Sequence, residues 1–287
     1  MAESGYNKTM KIMRSQYAGA CYGVERALSL VDDAAQRSVG IVHTLGPLIH
    51  NPQVVKELRK KGVREADSVE DVDEGVLVIR SHGVAPSVIE QAEHKGLQVV
   101  DATCPHVRKV QVAARQLQEQ GYQVLIVGEL GHPEVESIRA YTDNQAIIVQ
   151  DSSELPATLT SEKVGVVVQT TQSESSLTAV VKALKARGIT PVVHNTICFA
   201  TRQRQKAARE LAKEVDVMLV IGGRNSGNTS RLAILCKEVC PQTYHIENAA
   251  ELDFAWFEGV RTVGITAGAS TPEDQIIAVE TALGTLL

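Results

Sequence analysis

One pattern recurs nine times along the chain: a short apolar run, a turn of small and polar residues, then a segment with apolar residues at helical spacing. The instances are MKIMRSQYAGACYGV, VGIVHTLGPLIHN and GVLVIRSHGV; then LQVVDATCPHV, YQVLIVGELGHPEV and KVGVVVQTTQS; then TPVVHNTICFAT, DVMLVIGGRNSGN and RTVGITAGAST. The connectors NPQVVKELRKKG, APSVIEQAEHKG, VRKVQVAARQLQEQG and SLTAVVKALKARG each end in Gly, the usual residue just past a helix C-terminus. Strand, helix, strand with such caps predicts an α/β architecture of parallel sheets joined by right-handed crossovers. The instances group in triplets, each opening with a unit whose turn carries a cysteine: Cys21, Cys104 and Cys198, spaced 83 and 94 residues apart. This predicts three similar small α/β domains, over residues 10–100, 101–193 and 194–287.

Composition narrows the picture. A chain of 287 residues that is 44% hydrophobic can bury a substantial core, and 3% aromatic content suits strands built from Val, Leu and Ala. The net charge of −5 argues against a broad nucleic-acid surface, which needs clustered Lys and Arg. No stretch approaches the roughly 18 apolar residues that span a bilayer, and the N-terminal residues carry no apolar signal core, so a cytoplasmic protein is expected. Five widely spaced cysteines do not form a secreted disulfide framework; core, catalytic or metal-binding roles remain.

In open parallel sheets, ligands bind beyond the carboxyl ends of strands, where helix N-termini present N–H groups. The turns there supply three cysteines, His50, His82, His132, Glu134, Thr170, Thr171, Ser226, Asn228 and Ser270, with almost no Lys or Arg. Three soft thiolates without a fourth suit a metal centre with an open position, either Zn²⁺ or an iron–sulfur cluster. Imidazole, hydroxyl and amide donors suit a diphosphate or another polyanion. Blander readings stand beside these. The three cysteines can be packing residues, Glu134 can serve the helix dipole, and His50 can help start the helix after it. GGRNSGNTSRL can be a capped Gly-rich turn; it is no Walker A loop. Cys236 and Cys240 read as core residues of an amphipathic helix, and His94, His106, His194 and His245 as surface or local hydrogen-bonding residues.

The ordered series CYGVERAL, IHNPQVV, RSHGV, DATCPHVRKV, GHPEVES, VQTTQS, TICFATRQRQ, RNSGNTSRL and TAGAST closely resembles the LytB (IspH) family of 4-hydroxy-3-methylbut-2-enyl diphosphate reductases, from about residue 11 to the C-terminus. The resemblance implies three α/β domains around a central cavity holding a [4Fe–4S] cluster, with Cys21, Cys104 and Cys198 as ligands and one iron open. It implies that His50, His82, His132, Thr170, Ser226, Gly227, Asn228 and Ser270 bind substrate, and that Glu134, with His132 and Thr170, carries protons. The implied reaction removes an allylic hydroxyl with two electrons and two protons, giving isopentenyl and dimethylallyl diphosphates in the non-mevalonate pathway. Its implied partner is an electron donor such as ferredoxin or flavodoxin. Two positions depart from the common pattern: Ala20 stands where Phe is usual, and Gly227 where some members carry a second Ser. A Cys₃ zinc hydrolase or lyase, or a phosphometabolite-binding module, are the alternative readings.

Overall fold

The structure is a computed structural model that describes residues 10–38 and 40–285; Val39 in the second repeat, and the last two residues of the range 194–287, lie outside it. The first elements are β1 (Lys11–Arg14), α1 (Tyr22–Arg37), β2 (Val42–Leu45), α2 (Pro52–Lys60), β3 (Arg64–Ala66), β4 (Val76–Ile79) and α3 (Pro86–His94). There follow β5 (Gln98–Asp101), α4 (Pro105–Glu119), β6 (Gln123–Val127), α5 (Pro133–Ala140), β7 (Ile147–Val149), β8 (Val164–Val168) and α6 (Glu174–Ala186). The chain ends with β9 (Val192–Val193), α7 (Phe199–Ala212), β10 (Val217–Ile221), α8 (Gly227–Lys237), β11 (Thr243–Ile246), β12 (Thr262–Ala267) and α9 (Glu273–Gly284).

Each of the nine sequence repeats supplies one strand followed by one helix. The glycines that end the four connectors, Gly62, Gly96, Gly121 and Gly188, all take left-handed φ between +80° and +89°, as helix-terminating residues do. The strands form three four-stranded parallel sheets, ordered β3-β2-β4-β5, β7-β6-β8-β9 and β11-β10-β12-β1. Central strands such as VLVI in β4 and VMLVI in β10 are buried throughout, because helices cover both faces of a parallel sheet.

The order is the same in all three sheets, and it differs from the chain-order triplets. The strand that precedes a cysteine turn, β5, β9 or β1, is an edge strand and completes its sheet instead of opening it. The third sheet therefore takes its edge from the other end of the chain: Lys11 to Arg14 pair with Thr262 to Ile265. The sheets thus do not follow the ranges 10–100, 101–193 and 194–287, since β1 with its Cys21 turn lies in the sheet of the last range. Strands β3, β7 and β11, three or four residues long, add a second edge that the repeat pattern did not show.

By contact density the chain forms two compact units. One comprises the described residues of Met1–Cys21, His50–Val54 and Phe199–Leu287; the other comprises those of Tyr22–Ile49 and Val55–Cys198. The first holds the β11-β10-β12-β1 sheet and the second the other two. Cys236 and Cys240 are buried in the first unit's core against Leu211, Met218 and Leu232, as expected of core residues, but only Cys236 is on α8; Cys240 lies past the end of that helix.

Candidate active site

In the two-sheet unit the Cys104 turn is over-determined. Asp101, at the end of β5, accepts a hydrogen bond from the Thr103 N–H (2.9 Å), which bends the chain out of the strand, and Arg108 bridges Asp101 to the Tyr141 hydroxyl. Arg26 on α1 donates to the Thr103 carbonyl (3.2 Å). The Cys104 N–H then donates to the Ser81 carbonyl (2.9 Å), beside His82. Cys104 is the N-cap of α4 with Pro105 in the first turn, where a missing N–H costs nothing.

The Cys198 turn is tied to a buried acid. Its N–H donates to the Thr170 carbonyl (3.0 Å). Thr170 in turn donates to Glu134 twice, from its N–H to Oε1 (2.6 Å) and from its hydroxyl to Oε2 (2.8 Å). Glu134 is only 2% exposed, and both of its carboxylate oxygens are engaged by Thr170. His132 is the N-cap of α5: its Nδ1 accepts from the Glu134 N–H (3.1 Å). In the neutral imidazole that bond places the ring proton on Nε2. The His82 ring meets the His132 ring edge to face, with centroids 5.5 Å apart. Thr171 is half-buried in the same turn as Thr170.

In the other unit, the Cys21 N–H donates to the Ala269 carbonyl (3.0 Å), next to Ser270, and buried Arg204 donates to the Gly19 carbonyl (2.7 Å). Ser270 donates its hydroxyl to the His50 carbonyl (3.0 Å). Gly223 approaches the same segment so closely that an added Cβ would stand 3.0 Å from the His50 carbonyl oxygen. These contacts gather His50, Ser270 and the GGRNSGN loop. Ser226 is the N-cap of α8 and accepts from the Thr229 N–H (3.3 Å). Asn228, in the first turn, is 5% exposed, and both polar atoms of its amide are sealed with no partner among the described residues. A buried amide of this kind at a helix N-terminus suits an anion that would bond to it. His245 bonds the Gly222 carbonyl (2.8 Å), a local role as expected.

Starting α2 falls to Asn51, not to His50. Asn51 Oδ1 accepts from the Gln53 and Val54 N–H groups (3.1 and 3.2 Å), while its Nδ2 donates to the Ser270 carbonyl (2.9 Å). Asn51, ahead of Pro52 and an apolar helix, stands where a helix-start residue is expected, whereas nothing in the sequence marks its partner Gln275.

Each metal-ligand candidate, Cys21, Cys104 and Cys198, is a half-buried thiol outside any disulfide, directly ahead of a helix. Three thiols outside any disulfide form a soft donor set that fits a thiophilic metal or iron–sulfur group. Burial pushes the Cys236 thiol up to about 12.

The LytB protein family profile matches residues 12–284. The 4-hydroxy-3-methylbut-2-enyl diphosphate reductase of Pelobacter propionicus is 49% identical over 264 residues, covering 92% of this chain and 94% of its own. That of Geobacter sulfurreducens is 48% identical over 271 residues, covering 93% and 96%. Among solved structures, an (E)-4-hydroxy-3-methyl-but-2-enyl diphosphate reductase described as the terminal enzyme of the non-mevalonate pathway is 45% identical with a TM-score of 0.71, covering 96% of this chain and 100% of that one. The reductase from Plasmodium falciparum is 26% identical with a TM-score of 0.89, covering 96% and 88%. With the motif turns, the three parallel sheets and near-full-length similarity in agreement, this chain belongs to the LytB family.

Proposed function

We propose that the chain is a 4-hydroxy-3-methylbut-2-enyl diphosphate reductase, an oxidoreductase that acts as the terminal enzyme of the non-mevalonate isoprenoid pathway. It removes the allylic hydroxyl of its substrate as water, consuming two electrons and two protons, and gives isopentenyl and dimethylallyl diphosphates. The observation that carries the residue roles is the chain of contacts from Cys198 through Thr170 to Glu134, which fixes a thiol, a hydroxyl and a buried carboxyl group on one turn system.

Cys21, Cys104 and Cys198 would hold a [4Fe–4S] cluster with one iron open, a role supported by their shared place ahead of helix N-termini. When bound, such a cluster supplies the electrons and a Lewis-acidic iron toward the substrate hydroxyl.

Glu134 holds the proton that the departing hydroxyl needs, since hydroxide leaves poorly and water leaves well. The Thr170 hydroxyl can pass that proton on: at 2.8 Å from Oε2 it donates to the ionised carboxylate and accepts from the protonated one, turning its own O–H outward. His132, through Nε2–H, and His82 beside it are donors to the substrate on the same unit. Ser226, the Gly227 N–H, Asn228, Ser270 and His50 are the diphosphate-binding residues in this reading. Neutral donors at a helix N-terminus stabilise the anion while suppressing its basicity less than Lys and Arg would. A small redox protein such as ferredoxin or flavodoxin delivers the electrons in this reading. Among the described residues no helix is long and apolar enough to cross a membrane.

Anaerobic reconstitution with iron and sulfide tests the proposal. The expected product is brown protein with about four irons and four sulfides per chain that consumes the diphosphate substrate with a chemical reductant. Cys104→Ser should lose iron and activity together. Colourless protein with one zinc would overturn the cluster assignment.

A further inference from the structure

The geometry points to Ser137 and Gln111 as positioning residues that hold the His82 turn against the helix carrying Glu134. This rests on the substrate-binding role proposed for His82. Ser137, on α5, is 3% exposed, and its Oγ lies 2.8 Å from the His82 carbonyl oxygen and 2.8 Å from that of Glu134. Gln111, on α4 and fully buried, donates from Nε2 to the same Oγ (3.1 Å). A serine hydroxyl has one proton and two lone pairs. With Gln111 filling a lone pair, the proton is directed at the two carbonyls, and the His82 turn is pinned to the first turn of α5.

The backbone agrees with this assignment. Gly83 follows His82 with φ +72°, and a Cβ there would stand 2.4 Å from Gln111 Nε2 and 3.4 Å from Ser137 Oγ. The turn comes down directly onto the two side chains. One consequence is the place of His82: its ring sits edge to face with the ring of His132, whose own Nδ1 is held by the Glu134 N–H. Loosening Ser137 frees the His82 side of that pair while leaving the Glu134 to Thr170 bonds intact.

The amide of Gln111 makes no other hydrogen bond among the described residues, and its Oε1 is buried without a partner. That atom separates positioning from mere structure. Gln111→Leu replaces a poorly satisfied buried amide with an apolar group of similar size, so thermal stability should hold or rise. If Gln111 and Ser137 position His82, KM for the diphosphate substrate should nevertheless rise about tenfold in Gln111→Leu and in Ser137→Ala, as misplaced donors do. Iron content and kcat should change far less.

The decisive measurement is a cycle of Ser137→Ala, His82→Ala and the double variant on reconstituted enzyme, with Gln111→Leu beside it. The inference predicts that His82→Ala raises KM and that removing Ser137 adds nothing further. Unchanged KM in both Gln111→Leu and Ser137→Ala, while His82→Ala raises it, would overturn the positioning role alone. Additive effects of the two substitutions would also overturn it. Unchanged KM in His82→Ala would overturn the substrate-binding role of His82, and this inference with it.

Discussion

Thr170 grips Glu134 with two hydrogen bonds, one from its backbone N–H and one from its hydroxyl, and both carboxylate oxygens are engaged inside a 2% exposed site. Burial of an acid at this level is costly unless its oxygens are satisfied, and here the satisfying group is also the one that can relay a proton. Glu134→Gln preserves shape and one acceptor but has no acidic proton. It should keep the iron content and the visible spectrum while lowering kcat about 10²- to 10⁴-fold, the usual worth of general acid catalysis. Steady-state rates beside iron assays check this; full-rate turnover would remove Glu134 from the proton path.

Asn51 joins the helix that follows His50 to the turn that holds Ser270. Asn51→Ala should lower stability by about 1–3 kcal/mol, from a lost cap and from stranding the Gln275 amide, and should raise KM. Asn51→Asp keeps the acceptor for the Gln53 and Val54 N–H groups but cannot donate to the Ser270 carbonyl. It should therefore retain the helix start and still raise KM. Thermal melts and substrate titrations of the two variants separate the two jobs.

The repeating units were legible because each step of the pattern has a local cause: buried runs such as VLVI, glycines that accept left-handed φ, and small polar turns. Which strand closes which sheet was not legible. The pairing of Ile12 with Val263 joins residues from opposite ends of the chain, and no local periodicity reports it. The cysteine turns stood out by residue type, but the groups that set their geometry did not. Gln111 occupies a place on the apolar stripe of α4 between Val110 and Ala114, a polar residue at a core position, which was the one available signal. Ser137 carried none, since a serine on a short helix looks like surface until the fold brings His82 against it.

Environment sets Cys236 apart from the three turn cysteines. Cys236 is fully buried, with burial as the leading cause of a thiol pushed up to about 12, whereas Cys21, Cys104 and Cys198 are half-buried at turns. In cluster-free protein kept reduced, iodoacetamide should label the three turn cysteines within minutes and spare Cys236 until the chain is unfolded. Reconstitution should protect those three together. Mass spectrometry of labelled peptides reads both outcomes; labelling of Cys236 at the same rate in folded protein would contradict its burial.

Asp216 stabilises the starts of the two central strands whose far ends carry the Ser226 and Ser270 turns. Its Oδ2 accepts from the Arg261 N–H (3.0 Å), the Thr262 N–H (2.9 Å) and the Thr262 hydroxyl (2.9 Å). The Thr262 hydroxyl bond is the leading cause that holds this carboxyl below its ordinary value. A carboxylate depressed in the folded state contributes stability above its unfolded value near pH 4, and loses that contribution as pH falls through the folded value. Asp216→Asn should cost about 1 kcal/mol near neutral pH, at the low end because the site is exposed. That gap should narrow below about pH 4 and be smallest where the acid is protonated in both states. Denaturant melts of the parent and variant at neutral and acidic pH measure the gap directly, and one that widened on acidification would show that the charged form of Asp216 is not what ties β10 to β12.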